Sequence, residues 1–342
     1  MYESFIPTHL TDPLWQRLAK SKIFITGGTG LFGHWLLDGL SDANRRMNLE
    51  IEATVLTRNP EKAIAKMPSL DRRIKFIEGR VENFDLPSEN FDFIFHMATT
   101  SAEETFSGVV QSQKLTMLYE GTQRVIELAQ KSRVKRVLFT SSGAVYGNQI
   151  CDGIQESSLT CVDSLKAESS LALGKAVAEF LIKRAFEETK LEVVIARCFS
   201  FVGPGMPLNL HYAIGNFVKN VLDETPLIIK GDGKAIRSYM HMGDLIWWLL
   251  KLILDGDSGE AYNVGSAESV SILELAERVK RITKSNQKII VQGITNYSIG
   301  VPDRSIYVPS IDKMFAKFNL LIQKDLDKSI KEVFDHFNHI NQ

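Results

Sequence analysis

The chain has 342 residues, a formal net charge of −1 and 44% hydrophobic residues, which suits a soluble globular protein of one large or two coupled domains. Forty Lys and Arg are balanced by 41 Asp and Glu, so no basic field exists to draw in nucleic acid, and an anionic ligand must be met by a few placed cations. Cys151, Cys161 and Cys198 show no CxxC spacing, which argues against a zinc site or a disulfide framework and fits a reducing cytoplasm.

The opening MYESFIPTHLTDPLW has neither a basic start nor an apolar core of signal-peptide length, and reads as a short leader. A strand at Ile23–Thr26 then runs into TGGTGLFG, Thr26–Gly33, and a helix. That placement marks a dinucleotide phosphate site. Gly27 turns the chain tightly, Gly30 lets backbone approach a pyrophosphate, and Gly33 lets the helix pack close on the strand. The open helix N-terminus, beginning Leu31-Phe32, offers unpaired N–H donors and a partial positive charge.

Further strands are expected at Ile51–Leu56, Ile74–Ile77, Phe91–His96, Val137–Ser141 and Leu191–Ala196, with helices over Lys114–Lys131 and Leu171–Glu188. This alternation predicts an α/β fold, a doubly wound parallel sheet of Rossmann type. Both helices have wide apolar faces, enough to bury against a second copy, so a homodimer is expected. The second strand ends in Thr57-Arg58, where an NAD-selective site usually places an acidic residue. A guanidinium there suits a 2′-phosphate, which favours NADP over NAD.

After Gly203-Pro204-Gly205 the alternation gives way to shorter elements, so a smaller α/β lobe is expected to follow. The division is a dinucleotide-binding domain over 1–200 and a ligand lobe over 201–342, with 237–265 packing back on the first domain. Leu245–Leu254, LIWWLLKLIL, is about half the ~20 residues a membrane span needs. It reads as a buried helix with Trp247 and Trp248 in the core, and no membrane association is expected.

TGGTGLFG, FHMA at Phe95–Ala98, SSGAVYG at Ser141–Gly147, GDG at Gly231–Gly233 and RSYMHMGDL at Arg237–Leu245 together resemble the extended short-chain dehydrogenase/reductase family, in its nucleotide-sugar epimerase/dehydratase branch. The resemblance covers nearly everything from Lys22 to Lys313. It implies that Ala98 lies against the cofactor, that Ser142 bonds the reacting sugar oxygen, and that Lys175 holds the nicotinamide ribose and lowers the pKa of a catalytic tyrosine. It also implies that Arg237 grips the diphosphate of a nucleotide sugar, with Asn216 and Phe217 near the base and Asp303, Arg304 and Tyr307 in a late ligand-contacting segment. His241 and Asp244 match a segment that is more often structural.

Departures from the family pattern are informative. The motif YxxxK sets tyrosine and lysine one helical turn apart, and here it reads Leu171-Ala172-Leu173-Gly174-Lys175. Leucine cannot transfer a proton, a function that typically contributes about 10²–10⁴-fold in rate. Leu118 and Ser200 stand where relatives often carry asparagine. Three explanations stay open for Leu171: another donor, Tyr146 being the nearest phenol in sequence; water or a substrate group; or loss of catalysis. Gly143-Ala144 lacks the Asp-Glu of the 4,6-dehydratases, which leaves an epimerase or a ketosugar reductase as the preferred activity and a noncatalytic ligand-binding homologue as the rival.

Overall fold

The computed structural model describes residues 6–99, 110–149, 153–210, 212–293 and 306–340. In chain order the first part comprises α1 (Thr8–Arg17), β1 (Lys22–Thr26), α2 (Leu31–Met47), β2 (Glu52–Thr57), α3 (Pro60–Lys66), β3 (Ile74–Glu78), β4 (Phe93–His96), α4 (Gln111–Lys131), β5 (Arg136–Ser142), α5 (Ser170–Thr189) and β6 (Val193–Cys198). There follow β7 (Phe201–Val202), α6 (Ala213–Leu222), β8 (Leu227–Ile229), β9 (Ile236–Ser238), β10 (Met240–His241), α7 (Met242–Asp255), β11 (Glu260–Val264), β12 (Ser269–Ser271), α8 (Ile272–Ile282), β13 (Ile289–Val291), β14 (Ile306–Tyr307), α9 (Asp312–Phe318) and α10 (Leu326–Ile340).

Seven strands form one parallel sheet in the order β11-β6-β5-β4-β1-β2-β3. The strands are near-continuous apolar runs because helices cover both faces. Alternation along each strand sends side chains into two separate cores: Ile23 and Ile25 meet Trp35, Leu37 and Trp248 on one face, while Phe24 meets Val125, Leu128 and Ile182 on the other. Strand β5 divides likewise, Leu138 to the first core and Val137 and Phe139 to the second. This is the doubly wound α/β architecture the alternation predicted. Its order reverses between β1 and β4, which opens a crevice at their C-terminal ends.

Helix α7 is buried along almost its whole length, with Trp248 fully enclosed and Trp247 nearly so. It packs on α1, α2, β5 and β6, and β11 then joins the main sheet beside β6. The N-terminal segment differs from the expected leader: from Thr8 it is helix α1, seated by Leu14 and Trp15 in the first core and by a two-pronged Arg17–Asp255 ion pair at 2.8 and 2.9 Å. The pattern was missed because Pro13 interrupts a short, weakly periodic run.

A separate core joins α6, α8 and α10 with β8 through Ile214, Phe217, Leu275, Ala276 and Ile330. Beside it, β9 pairs antiparallel with β12 and parallel with β14. No helix among the described residues is long and apolar enough to cross a membrane.

Trp248 fills the space between α7 and the sheet, so Trp248→Ala should lower unfolding free energy by about 3–5 kcal/mol. Urea denaturation followed by circular dichroism measures this, and a loss below about 1 kcal/mol contradicts the packing.

Candidate active site at the C-terminal edge of the sheet

The turn after β1 is shaped by what its glycines exclude. Gly27 has φ +74°, and a Cβ there would lie 2.6 Å from the Met97 carbonyl carbon and 2.7 Å from the Ala98 nitrogen. A Cβ on Gly33 would meet the Gly28 Cα at 2.3 Å, so α2 rides directly on the turn. Gly30 differs: its added Cβ meets only the Gly27 oxygen, at 3.4 Å, leaving one side of the turn open. Gly30 is also the N-cap of α2 and places no side chain over the helix end. A cradle with an exposed helix N-terminus fits a pyrophosphate and hence a dinucleotide. Leu31 and Phe32 form the first turn, with Phe32 edge-on to Phe201 at 4.9 Å.

The facing wall comes from β4. The Thr26 hydroxyl lies 2.8 Å from His96 Nδ1 and accepts a 3.1 Å bond from the Ala98 N–H, while His96 Nε2 lies 3.1 Å from the Thr122 hydroxyl of α4. Burial pulls His96 down to about 3, so the ring is a neutral tie between β1, β4 and α4. The sequence reading named Ala98 but not Thr26, His96 and Thr122, although FHMA contains the histidine. Thr57 ends β2 nearly buried and Arg58 is exposed beyond it.

Ser142 ends β5, and its Oγ accepts a 3.1 Å bond from the Ala144 N–H, starting a short 3-10 turn over Gly143–Tyr146. Lys175 of α5 reaches back to the same strand. Its Nζ donates to the Thr140 carbonyl at 2.6 Å and sits 4.8 Å from the Phe139 ring centroid. Burial lowers its pKa to about 8. Leu171, one turn earlier, is half-buried. Leu118 of α4 is buried against α5, so that a Cβ on Gly174 would lie 2.6 Å from its Cδ1.

Tyr146 does not suit the role of proton donor. Its hydroxyl donates to Asn263 Oδ1 at 2.7 Å and accepts from Arg197 at 2.9 Å, with the residue 1% exposed. Burial pushes the phenol up to about 12, against the opposing pull of Arg197. The group ties the 3-10 turn to β6 and β11.

In the second lobe, Arg237 lies on β9, half-buried, donating one 2.8 Å bond to the Ile236 carbonyl. Its strand partner on β14 is Tyr307. That tyrosine crosses to the first domain: its ring lies 4.7 Å from Phe199, and its hydroxyl would be 2.8 Å from a Cβ on Gly143. Asn216 is half-buried on α6, whereas Phe217 is buried in the lobe's own core and does not line a base pocket. Asp303 and Arg304 lie outside the described residues. His241 caps α7 by accepting from the Gly243 N–H at 3.0 Å, and Asp244 accepts from the Gln323 and Lys324 N–H groups at 3.1–3.2 Å, so both are structural.

The chain belongs to the NAD dependent epimerase/dehydratase family, whose model matches residues 23–265. It is 26% identical over 275 residues to UDP-glucuronic acid decarboxylase 6 of Arabidopsis thaliana, covering 79% of this chain and 77% of that protein. With UDP-glucuronic acid decarboxylase 4 of the same plant it shares 28% over 278 residues, 81% of this chain and 60% of that protein. Among solved structures, UDP-glucuronic acid 4-epimerase from Bacillus cereus, in complex with UDP-glucuronic acid and NAD, superimposes with a TM-score of 0.78 at 21% identity, over 93% of this chain and 99% of the other.

Two outcomes follow from this geometry. Gly27→Ala places a methyl group into the Met97–Ala98 backbone at a positive φ, and should cost about 1–3 kcal/mol of stability in chemical denaturation. Lys175 has a native pKa below its unfolded one, so the unfolded chain binds more protons between about pH 8 and the ordinary lysine range, and native stability rises with pH across that window. Lys175→Met removes this slope, and denaturation midpoints at pH 7.5 and 9.5 should converge for the variant relative to the unaltered chain.

Proposed function

We propose that this chain is a nucleotide-sugar enzyme that exchanges hydride with a hexose carbon, as an epimerase or a ketosugar reductase, with unusual acid/base chemistry. The observation that carries the reading is the convergence on one sheet edge of a glycine cradle for a dinucleotide, the Ser142–Lys175 pair, and the strand pair bearing Arg237. Residues 1–200 chiefly hold the cofactor and 201–342 the nucleotide sugar.

Gly27, Gly30 and the first-turn N–H groups of Leu31, Phe32 and Gly33 hold the pyrophosphate, Thr57 and Arg58 face the adenosine ribose, and Ala98 and Lys175 flank the nicotinamide half. The bound dinucleotide supplies hydride exchange. Ser142 orients the sugar oxygen by a hydrogen bond, and Lys175 contributes positive charge that favours an anionic partner. Arg237 meets the diphosphate, and Arg304 belongs to a late segment that contacts the nucleotide or sugar. The family description and the NAD in the Bacillus cereus neighbour support NAD(H) as cofactor, over the NADP(H) that Arg58 alone suggested. The sugar-acid names of the relatives make UDP-sugars the first substrates to test.

Exposed Tyr119 on α4 and Phe180 on α5 support a homodimer through those helices. Leu171 favours a second reading, a noncatalytic homologue that keeps both ligand sites. Calorimetry distinguishes the reading of the site from its absence. NAD should bind more tightly than NADP, and Arg237→Ala should weaken a UDP-sugar about 10-fold or more while leaving NAD affinity unchanged. Product chromatography with NAD(H) then separates enzyme from binder, turnover by the unaltered chain being the expected result.

A further inference from the structure

The residues around Ser142 leave one chemical function unassigned, transfer of a proton to and from the reacting oxygen. Three proton carriers near the ends of β4, β5 and β6 are otherwise committed. His96 is held between two threonine hydroxyls and stays neutral. Tyr146 is locked between Asn263 and Arg197 inside the core. Cys198 pairs with Ser142 across β5 and β6, but it is buried and its thiol is pushed up to about 12.

Tyr307 lies against the residue that follows Ser142. It is half-buried, and its hydroxyl and the edge of the Phe199 ring together occupy the space that a side chain on Gly143 would need, each 2.8 Å from an added Cβ. Four contacts hold the tyrosine and the chain around it. Its ring lies on Phe199, and its backbone pairs with Arg237 in β9. On either side, Ile306 bridges to Gln149 and Pro309 to Ile154. One rigid strand therefore carries Tyr307 to the serine turn beside the arginine assigned to the diphosphate.

We propose that Tyr307 is the catalytic acid/base of the site, taking the role that leucine at position 171 cannot fill; the assignment rests on the nucleotide-sugar reading given above. In the reductive direction the Tyr307 O–H bond breaks and its proton goes to the substrate carbonyl oxygen, as the carbonyl carbon accepts hydride from a reduced pyridine dinucleotide. The hydride's electron pair becomes the new C–H bond and the π pair becomes the new O–H bond, the dinucleotide leaves oxidised, and Tyr307 remains as phenolate. In the oxidative direction each transfer reverses. Gly143 leaves the room that the Tyr307 hydroxyl shares with the Phe199 ring.

The test compares the unaltered chain with Tyr307→Phe, which keeps the ring on Phe199, and with the double variant Leu171→Tyr/Tyr307→Phe. NAD and UDP-sugar affinities are measured by calorimetry, and turnover is followed with UDP-sugars and NAD(H). Expected are unchanged affinities, a kcat about 10²–10⁴-fold lower in Tyr307→Phe with KM little altered, loss of the phenol limb from its kcat–pH profile, and recovery of at least 10-fold in the double variant. If both ligands bind but Tyr307→Phe keeps more than about a third of the activity, or the unaltered chain turns over none of the UDP-sugars, the assignment is overturned while the ligand reading stands. If neither ligand binds to folded protein, the site reading itself fails and the assignment with it.

Discussion

The close approach of backbone to backbone at the end of β1 governs the rest of the structure. Gly27 meets the Met97–Ala98 peptide and Gly33 meets Gly28 at distances that no Cβ could share. Removing side chains from both contacts brings α2 onto the strand and brings the end of β4 against the turn. The helix N-terminus consequently opens into the crevice where the strand order reverses, instead of being covered by its own cap. The Thr26–His96–Thr122 chain holds the opposite wall at that separation. An unpaired polar group in so buried a position is costly, and each member satisfies its neighbour.

The second lobe depends on the first for its orientation. Helix α7 leaves the small strands and runs through the first core, and β11 extends the main sheet, so chain segments from both sides of the lobe are anchored in the larger body. Asn263 of β11 adds a polar joint: it accepts from Tyr146 and donates to the carbonyls of Ile154 and Ser310. Those last two contacts grip the residues that flank β14. The position of Tyr307 over Gly143 is therefore determined by the sheet as well as by its own short strand.

Sequence made the parallel sheet legible because its strands are apolar on both faces and separated by helix-length segments; the observed strands at Val193–Cys198 and Arg136–Ser142 lie within a few residues of those expected. The glycine turn was equally readable, since the need for absent side chains leaves a mark in composition. The relation between Gly143 and Tyr307 was not, because it joins residues 164 positions apart in the numbering through a strand of two residues, too short for any periodicity to register. Tyr146 was one of several readings that sequence left open. Nearness in sequence to Ser142 suggested a shared site, but a 3-10 turn rotates its side chain into the core, where Arg197 and Asn263 hold it.

Two leucines stand near Lys175 along the α4–α5 helix pair. Leu118 fills the α4–α5 contact beside Gly174, and Leu171 stands one turn from Lys175 on the same helix. Neither supplies a hydrogen-bond partner; the ammonium donates to the Thr140 carbonyl and lies by the face of Phe139. Burial prevails over the favourable charge of Glu179, lowering the pKa to about 8. With a pKa of about 8 the ammonium stays largely protonated at neutral pH, and any anion brought beside it strengthens that form. A cofactor phosphate or a developing oxyanion would stabilise the protonated form, which couples the lysine's charge to occupancy of the site. In a site with tyrosine at position 171 the phenol would share that coupling; with leucine there, the coupling is left to the ligands and to groups approaching from the second lobe.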